Sequence, residues 1–368
     1  MTKLGVLFSV LGVGAGCIPA FAQKQLPNII VMLSDDQGWG DLGFTGNTFV
    51  QTPNIDRIAH EGTILENFYV CPVSSPTRAE FLTGRYHVRS GVNSTTGGGE
   101  RFNLGEKTIA EYFREAGYAT SLFGKWHSGT QYPYHPNARG FEEFYGFCSG
   151  HWGNYWNPVL EHNGEIISGE GFIIDDLTDK ALDYIRDHKE HPFFMFLSYN
   201  TPHSPMQVPD SWWNRVKDRT LSQRATFPEQ EDTTFTKAAL ALAENLDWNI
   251  GRVLSLLHSL DLEQETIVIY FSDNGPNSFR WNGGMKGRKG STDEGGVRSP
   301  FCIRWPGHIR KEAVETQLSG AIDLIPTLLG LAGIEYTPLR KLDGIDWGQR
   351  LLDEKAPAMD RVLYSYWG

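Results

Sequence analysis

The chain has 368 residues, 40% of them hydrophobic and 12% aromatic, which is enough for a large buried core in one α/β domain or two smaller ones. Its net charge is −11 without long charge runs, which argues against nucleic acid as a partner. An anionic substrate therefore needs a locally positive pocket inside an acidic protein.

The chain opens with Lys3, an apolar stretch, and Ala20-Phe21-Ala22 before Gln23. This pattern predicts a secretory signal peptide over residues 1–22 and a periplasmic or secreted mature protein. The apolar run is too short and too broken by glycine for a permanent membrane span. Cys17 after Gly14-Ala15-Gly16 matches a lipoprotein signal only weakly, so a periplasmic protein is expected ahead of a lipid-anchored one. Cys71, Cys148 and Cys302 remain, and an odd set of three allows at most one disulfide, whose pairing the sequence does not give.

The first buried strand reads "NIIVML" (28–33). "VSSPTRAEFLTGR" (73–85) predicts a short helix with Ser75 as N-cap, Pro76 at the first helical position and Ser74 just outside, its positive end open to an anion. "GEKTIAEYFREAG" (105–117) places Ile109, Tyr112, Phe113 and Ala116 on one helical face, and "ATSLF" (119–123) is a second strand. Residues 128–172, rich in Gly, Trp, Tyr and His, read as an irregular insertion of the kind that carries recognition. There Trp152, Tyr155 and Trp156 either stack on a sugar ring or pack the loop. A helix over 175–188, the strand "FFMFLSY" (193–199), a helix over 236–260 and the strand "TIVIYFS" (266–272) follow. "RVLYSYWG" (361–368) reads as a strand begun and cut short, the start of a C-terminal subdomain after a catalytic domain over 23–360. Near-continuous apolar strands alternating with helices predict an α/β fold with a large, mostly parallel or mixed sheet sandwiched by helices.

Each buried strand runs at once into polar residues. Asp35-Asp36 follow the first, Lys125 and His127 the second, His203 the third, and Asp273-Asn274 the fourth. The carboxyl ends of strands in an open parallel sheet share one edge, where ligands bind. Any one of these residues has a bland reading as a turn or surface group; the coincidence of four strands is what points to a site. Asp35, Asp36, Asp273 and Asn274 form an all-oxygen set suited to Ca²⁺ first and Mg²⁺ second. Lys125 and His127, two apart in an extended stretch, are expected to face the same way. Arg78, Lys125 and Lys289 supply local positive charge. A plain serine that attacked a sulfate ester would leave a serine sulfate that is hard to hydrolyse.

Ser74-Ser75-Pro76-Thr77-Arg78, followed by Leu82-Thr83-Gly84-Arg85, resembles the signature of type I sulfatases. Asp35-Asp36, Gly124-Lys125-Trp126-His127, Pro202-His203, Asp273-Asn274-Gly275 and Lys289-Gly290-Ser291 extend that resemblance over about 28–368. Cys71 lies three residues too early to be the nucleophile. The resemblance implies an alkaline-phosphatase-like fold and a secreted sulfatase acting on sulfated saccharides. It implies that Ser74 is oxidised to Cα-formylglycine by a radical-SAM maturing enzyme before export, and that Asp35, Asp36, Asp273 and Asn274 ligate one calcium ion. One oxygen of the aldehyde hydrate then attacks sulfur and the other drives sulfate out. Arg78 and Lys125 hold the hydrate, His127 assists its collapse, and His203 and Lys289 contact the sulfate and the leaving oxygen, His203 as general acid. Lys286 is a nearby rival for Lys289 without its Lys-Gly-Ser context. The alternatives are a two-zinc phosphatase or phosphonate hydrolase of the same superfamily, against which Asn274 argues, and an inactive glycan-binding relative.

Overall fold

The computed structural model describes residues 1–2 and 26–368. The leader expected over 1–22, with Cys17, falls outside the described residues apart from Met1 and Thr2.

Among the described residues twelve strands form, in chain order: β1 (Asn28–Ser34), β2 (Thr63–Leu65), β3 (Phe68–Tyr69), β4 (Ala119–Lys125), β5 (Glu143–Phe147), β6 (Val159–His162), β7 (Glu165–Ser168), β8 (Phe193–Ser198), β9 (Thr266–Ser272), β10 (Phe301–Arg304), β11 (Ala313–Glu315) and β12 (Ser319–Gly320). Ten of them make one sheet in the order β11-β2-β10-β9-β1-β8-β4-β5-β6-β7. Its centre, β9-β1-β8-β4-β5, is parallel throughout. β10 pairs antiparallel with β9, and β6 and β7 continue antiparallel at the far edge. The expected mostly parallel, mixed sheet is the one observed.

The apolar strands are continuous because both faces of the sheet are covered. Ile29, Val31 and Leu33 of β1 point into a core shared with helices Ser74–Thr83, Ile109–Glu115 and Leu324–Ala332. Ile30 and Met32 point into a second core under helices Pro53–His60, Ile173–Asp187 and Thr233–Ser259. Successive side chains of a strand leave opposite faces, so a strand buried twice needs apolar residues at every position. The longest helix starts three residues before its predicted position because the Asp232 side chain accepts from Thr234 N and Phe235 N and caps it.

Two expectations are corrected. Residues 128–172 are not a purely irregular insertion: they contribute β5, which pairs with β4, and the β6–β7 hairpin. β6 and β7 are short, half-exposed edge strands with no strong alternation, so the pattern was weak. No strand forms over 361–368. Those residues instead pack back by side chains: Arg361 bonds Asp323, and the Tyr366 ring stacks over His87. Cys71, Cys148 and Cys302 are all buried free thiols. No helix among the described residues is long and apolar enough to cross a membrane.

Candidate active site

Register brings the site together. Ser34 pairs with Ser272, Leu33 with Ser198, and Gly124 with Ser198, so β1, β9, β8 and β4 end level with one another. Asp35-Asp36 and Asp273-Asn274 therefore leave adjacent strand ends side by side. All four are buried, and Asp273 Oδ1 and Asn274 Nδ2 both bond Asp36, at its N–H and its Oδ1. Asp36 takes a left-handed backbone conformation, φ 64°, which is costly for a residue with a Cβ. Two bonds hold it there: its N–H donates to Asp273 Oδ1 at 3.1 Å, and its carbonyl accepts from Arg280 at 2.9 Å. Arg280 is itself fixed by a buried ion pair with Asp41 at 2.7 Å. Neither Arg280 nor Asp41 carried any sequence signal, since each lies in a loop and matters only through its spatial neighbour.

The helix bearing Ser74 begins earlier than expected. It spans Ser74–Thr83 with Val73 as N-cap, so Ser74 is its first residue and Pro76 its third. Ser75 is not the cap; its hydroxyl donates to Ser94 O. Thr77 fastens the entry instead, accepting from Cys71 N at 2.8 Å. Every residue of this helix is buried, which is why the segment shows no polar face.

Ser74 Oγ donates to Asp273 Oδ2 at 2.5 Å and accepts from Arg78 Nε at 2.9 Å. Arg78 also donates to Asp273 Oδ2 (3.1 Å), Lys125 O (3.0 Å) and Ser198 Oγ (2.6 Å). Lys125 lies 2.6 Å from Asp35, and Lys289 lies 2.6 Å from Asp36. His203 Nε2 is 3.5 Å from Asp36 Oδ2, while its Nδ1 contacts Ser204 O. All ten predicted site residues thus meet at one strand edge, with Ser198 added by the structure. Lys286 bonds the exposed Asp293 instead and contacts none of the others.

His127 departs from the expected extended conformation. It sits at φ 59°, so it does not simply share Lys125's direction. Its Nε2 lies 2.8 Å from Thr95 O, a carbonyl that can only accept, and its Nδ1 is buried without a partner. Burial, aided by the Lys125 charge, pushes its proton affinity well below the ordinary imidazole value. A neutral ring with Nε2 donating leaves Nδ1 as a free base.

Burial lowers the proton affinity of the Lys125 ammonium against the pull of Asp35. Burial tends to raise Asp35, but Lys125, then His203 and Arg78, outweigh it and hold the carboxyl below its usual range. Burial disfavours the Lys289 charge too, yet Asp36 and Asp35 raise its affinity. The site is a compact set of alternating charges rather than a hydrophobic slot. A cavity of about 680 Å³, lined by Phe123, Tyr145 and Tyr184, includes none of the ten residues.

Two buried oxygens bear on metal binding. Asn274 Nδ2 donates to Asp36 Oδ1 and Gly275 O, leaving Asn274 Oδ1 without a partner, and Asp35 Oδ1 is likewise unpaired. An unpaired buried oxygen is costly. Beside two further carboxylates, these oxygens fit a hard cation.

The sulfatase family profile matches residues 27–334. The chain belongs to the sulfatase family. This sulfatase is 32% identical to N-acetylgalactosamine-6-sulfatase of Mus musculus, over 100% of its own length and 72% of that protein's. Among solved structures it resembles Ps i-CgsB in complex with k-i-k-neocarrahexaose, with 31% identity, a TM-score of 0.78, and 89% and 76% of the two chains covered. PsFucS1 sulfatase from Pseudoalteromonas sp. superposes with a TM-score of 0.79 at 26% identity, covering 93% and 75%. The sulfatase therefore has the alkaline-phosphatase-like fold of the formylglycine-type family and is a sulfuric ester hydrolase.

Proposed function

We propose that this sulfatase is exported and removes sulfate from sulfated glycans, using Ser74 after its oxidation to formylglycine and one calcium ion. The observation that carries the reading is the position of Ser74 Oγ, held between Asp273 and Arg78 at the start of a buried helix. Glycan substrates are supported by relatives described as an N-acetylgalactosamine-6-sulfatase and as a complex with k-i-k-neocarrahexaose.

Asp35, Asp36, Asp273 and Asn274 would hold the calcium ion, whose charge would offset that of the sulfate. The aldehyde at position 74 would supply, when hydrated, a nucleophilic oxygen and a second oxygen that lets sulfate depart. Arg78 orients the reacting oxygen at position 74 and balances its charge. Lys125 and Lys289 supply positive charge for sulfate, which an acidic protein otherwise repels. His127 Nδ1 takes up the proton released when position 74 returns to the aldehyde. His203 donates a proton to the leaving oxygen.

The test is mass spectrometry of the Ser74 peptide from protein made in the native host or with a radical-SAM maturing enzyme. Oxidation makes that peptide about 2 Da lighter than the serine form, as alcohol becomes aldehyde. Fully active enzyme with an unmodified peptide removes the mechanism.

A further inference from the structure

The loop after β5 wraps the active site with four consecutive residues, none of which belongs to the charged set. Gly150 lies so close to His127 that a Cβ there would meet the His127 ring nitrogen at 2.1 Å. Trp152 stacks on Phe147 with ring centroids 5.1 Å apart. Ser149 ties the turn by donating to His151 O at 2.6 Å. Between these anchors the His151 ring is exposed and stands 5.3 Å from the His203 ring, centroid to centroid. A little further on, Tyr155 donates its hydroxyl to His203 O at 2.7 Å, so the same loop also fixes His203 from behind.

His151 makes no ring hydrogen bond to any described residue. Burial first, then the charges of His203 and Lys125, lower its proton affinity. A neutral imidazole has one N–H donor and one acceptor nitrogen, which matches a hydroxyl and not a sulfate. The charged end of a substrate already has Arg78, Lys125 and Lys289.

We propose that His151 is a specificity-determining residue: it hydrogen-bonds the ring hydroxyl of the sugar that lies nearest the sulfate ester. A leaving oxygen within reach of His203 brings its neighbouring hydroxyl toward the adjacent ring. The loop's anchors at Gly150 and Trp152 hold that ring in place before substrate arrives. This rests on the reading of the site as a glycan sulfatase site.

The experiment compares matured wild type, His151→Ala and His151→Gln on two probes, 4-nitrophenyl sulfate and N-acetylgalactosamine 6-sulfate. The first has no hydroxyl near its ester; the second has its C4 hydroxyl two carbons from the ester-bearing C6. His151→Ala should lower kcat/KM on the saccharide about tenfold more than on the aryl ester, the worth of one neutral hydrogen bond. The loss should fall mainly on KM, since the contact is made before and during reaction. His151→Gln, which keeps a donor and an acceptor, should recover part of it. An equal loss on both probes overturns the proposal and makes His151 a support for His203. An unchanged saccharide KM overturns it as well, as does hydrolysis of the aryl ester alone by wild type. Wild type inert on both probes overturns instead the reading of the site on which this rests.

Discussion

Arg78 has no exposed surface, yet four polar contacts meet it: Ser74, Asp273, Lys125 O and Ser198, with Nη1 serving two of them and both Nε and Nη2 used. A guanidinium can serve several acceptors in one plane, while a lysine is a point charge. Arg78→Lys should therefore fold but lose about 10²–10³ in kcat, the usual cost of one charge-stabilising donor. Arg78→Ala leaves Asp273 buried without its cation and should lower stability by about 3–5 kcal/mol, read from urea unfolding. A midpoint within error of wild type would show that Asp273 is compensated elsewhere. His127 permits a separate test, because its Nδ1 is the buried base without a partner. His127→Ala should reduce kcat about 10²–10⁴-fold with little change in KM, measured on 4-nitrophenyl sulfate.

At the scale of elements, the helix Ser74–Thr83 is held onto the sheet by apolar contacts. Phe81 meets Phe196 of β8 edge-on at 4.9 Å, and both are fully buried. Phe196→Ala should cost about 3–5 kcal/mol and lower activity by loosening the helix that positions Ser74 and Arg78. Thermal unfolding together with kcat measures both, and a stability loss without an activity loss would uncouple the helix from the site. Another joint lies between helices Pro53–His60 and Thr233–Ser259. Asp247 accepts from Asn54 N, Asn54 Nδ2 and Ile55 N at the start of the shorter helix. Burial raises its pKa to about 7, against those hydrogen bonds. The folded state then binds this proton more tightly than the unfolded chain does. Its contribution is full below the ordinary carboxyl range and is lost as pH rises through about 7. Urea midpoints should therefore fall between pH 5 and pH 8 by more in wild type than in Asp247→Asn.

At the scale of the whole molecule, the proposed ion would link fold to function. Three carboxylates from two strands crowd one edge, and a bound cation would offset their repulsion. Chelation should lower the thermal midpoint and abolish turnover, with Ca²⁺ restoring both; a ligand at a hundred times its Kd adds about 2.7 kcal/mol. Two zinc ions per chain by elemental analysis would favour the phosphatase reading instead. The sequence by itself determined the four central strands, because burial on both faces writes an unbroken apolar run, and the polar residues that follow each one. It also determined the Ser74 to Arg85 motif, whose residue types and spacing are local. It did not determine the start of that helix, since the cap is Val73 and the fastening Thr77 to Cys71 bond is visible only in three dimensions. Nor did it reveal β6 and β7, whose half-exposed positions carry little pattern. Ser198, Arg280 with Asp41, and His151 were invisible for a shared reason. Each acts through a neighbour distant in the chain, and only strand register and loop closure decide which neighbour that is.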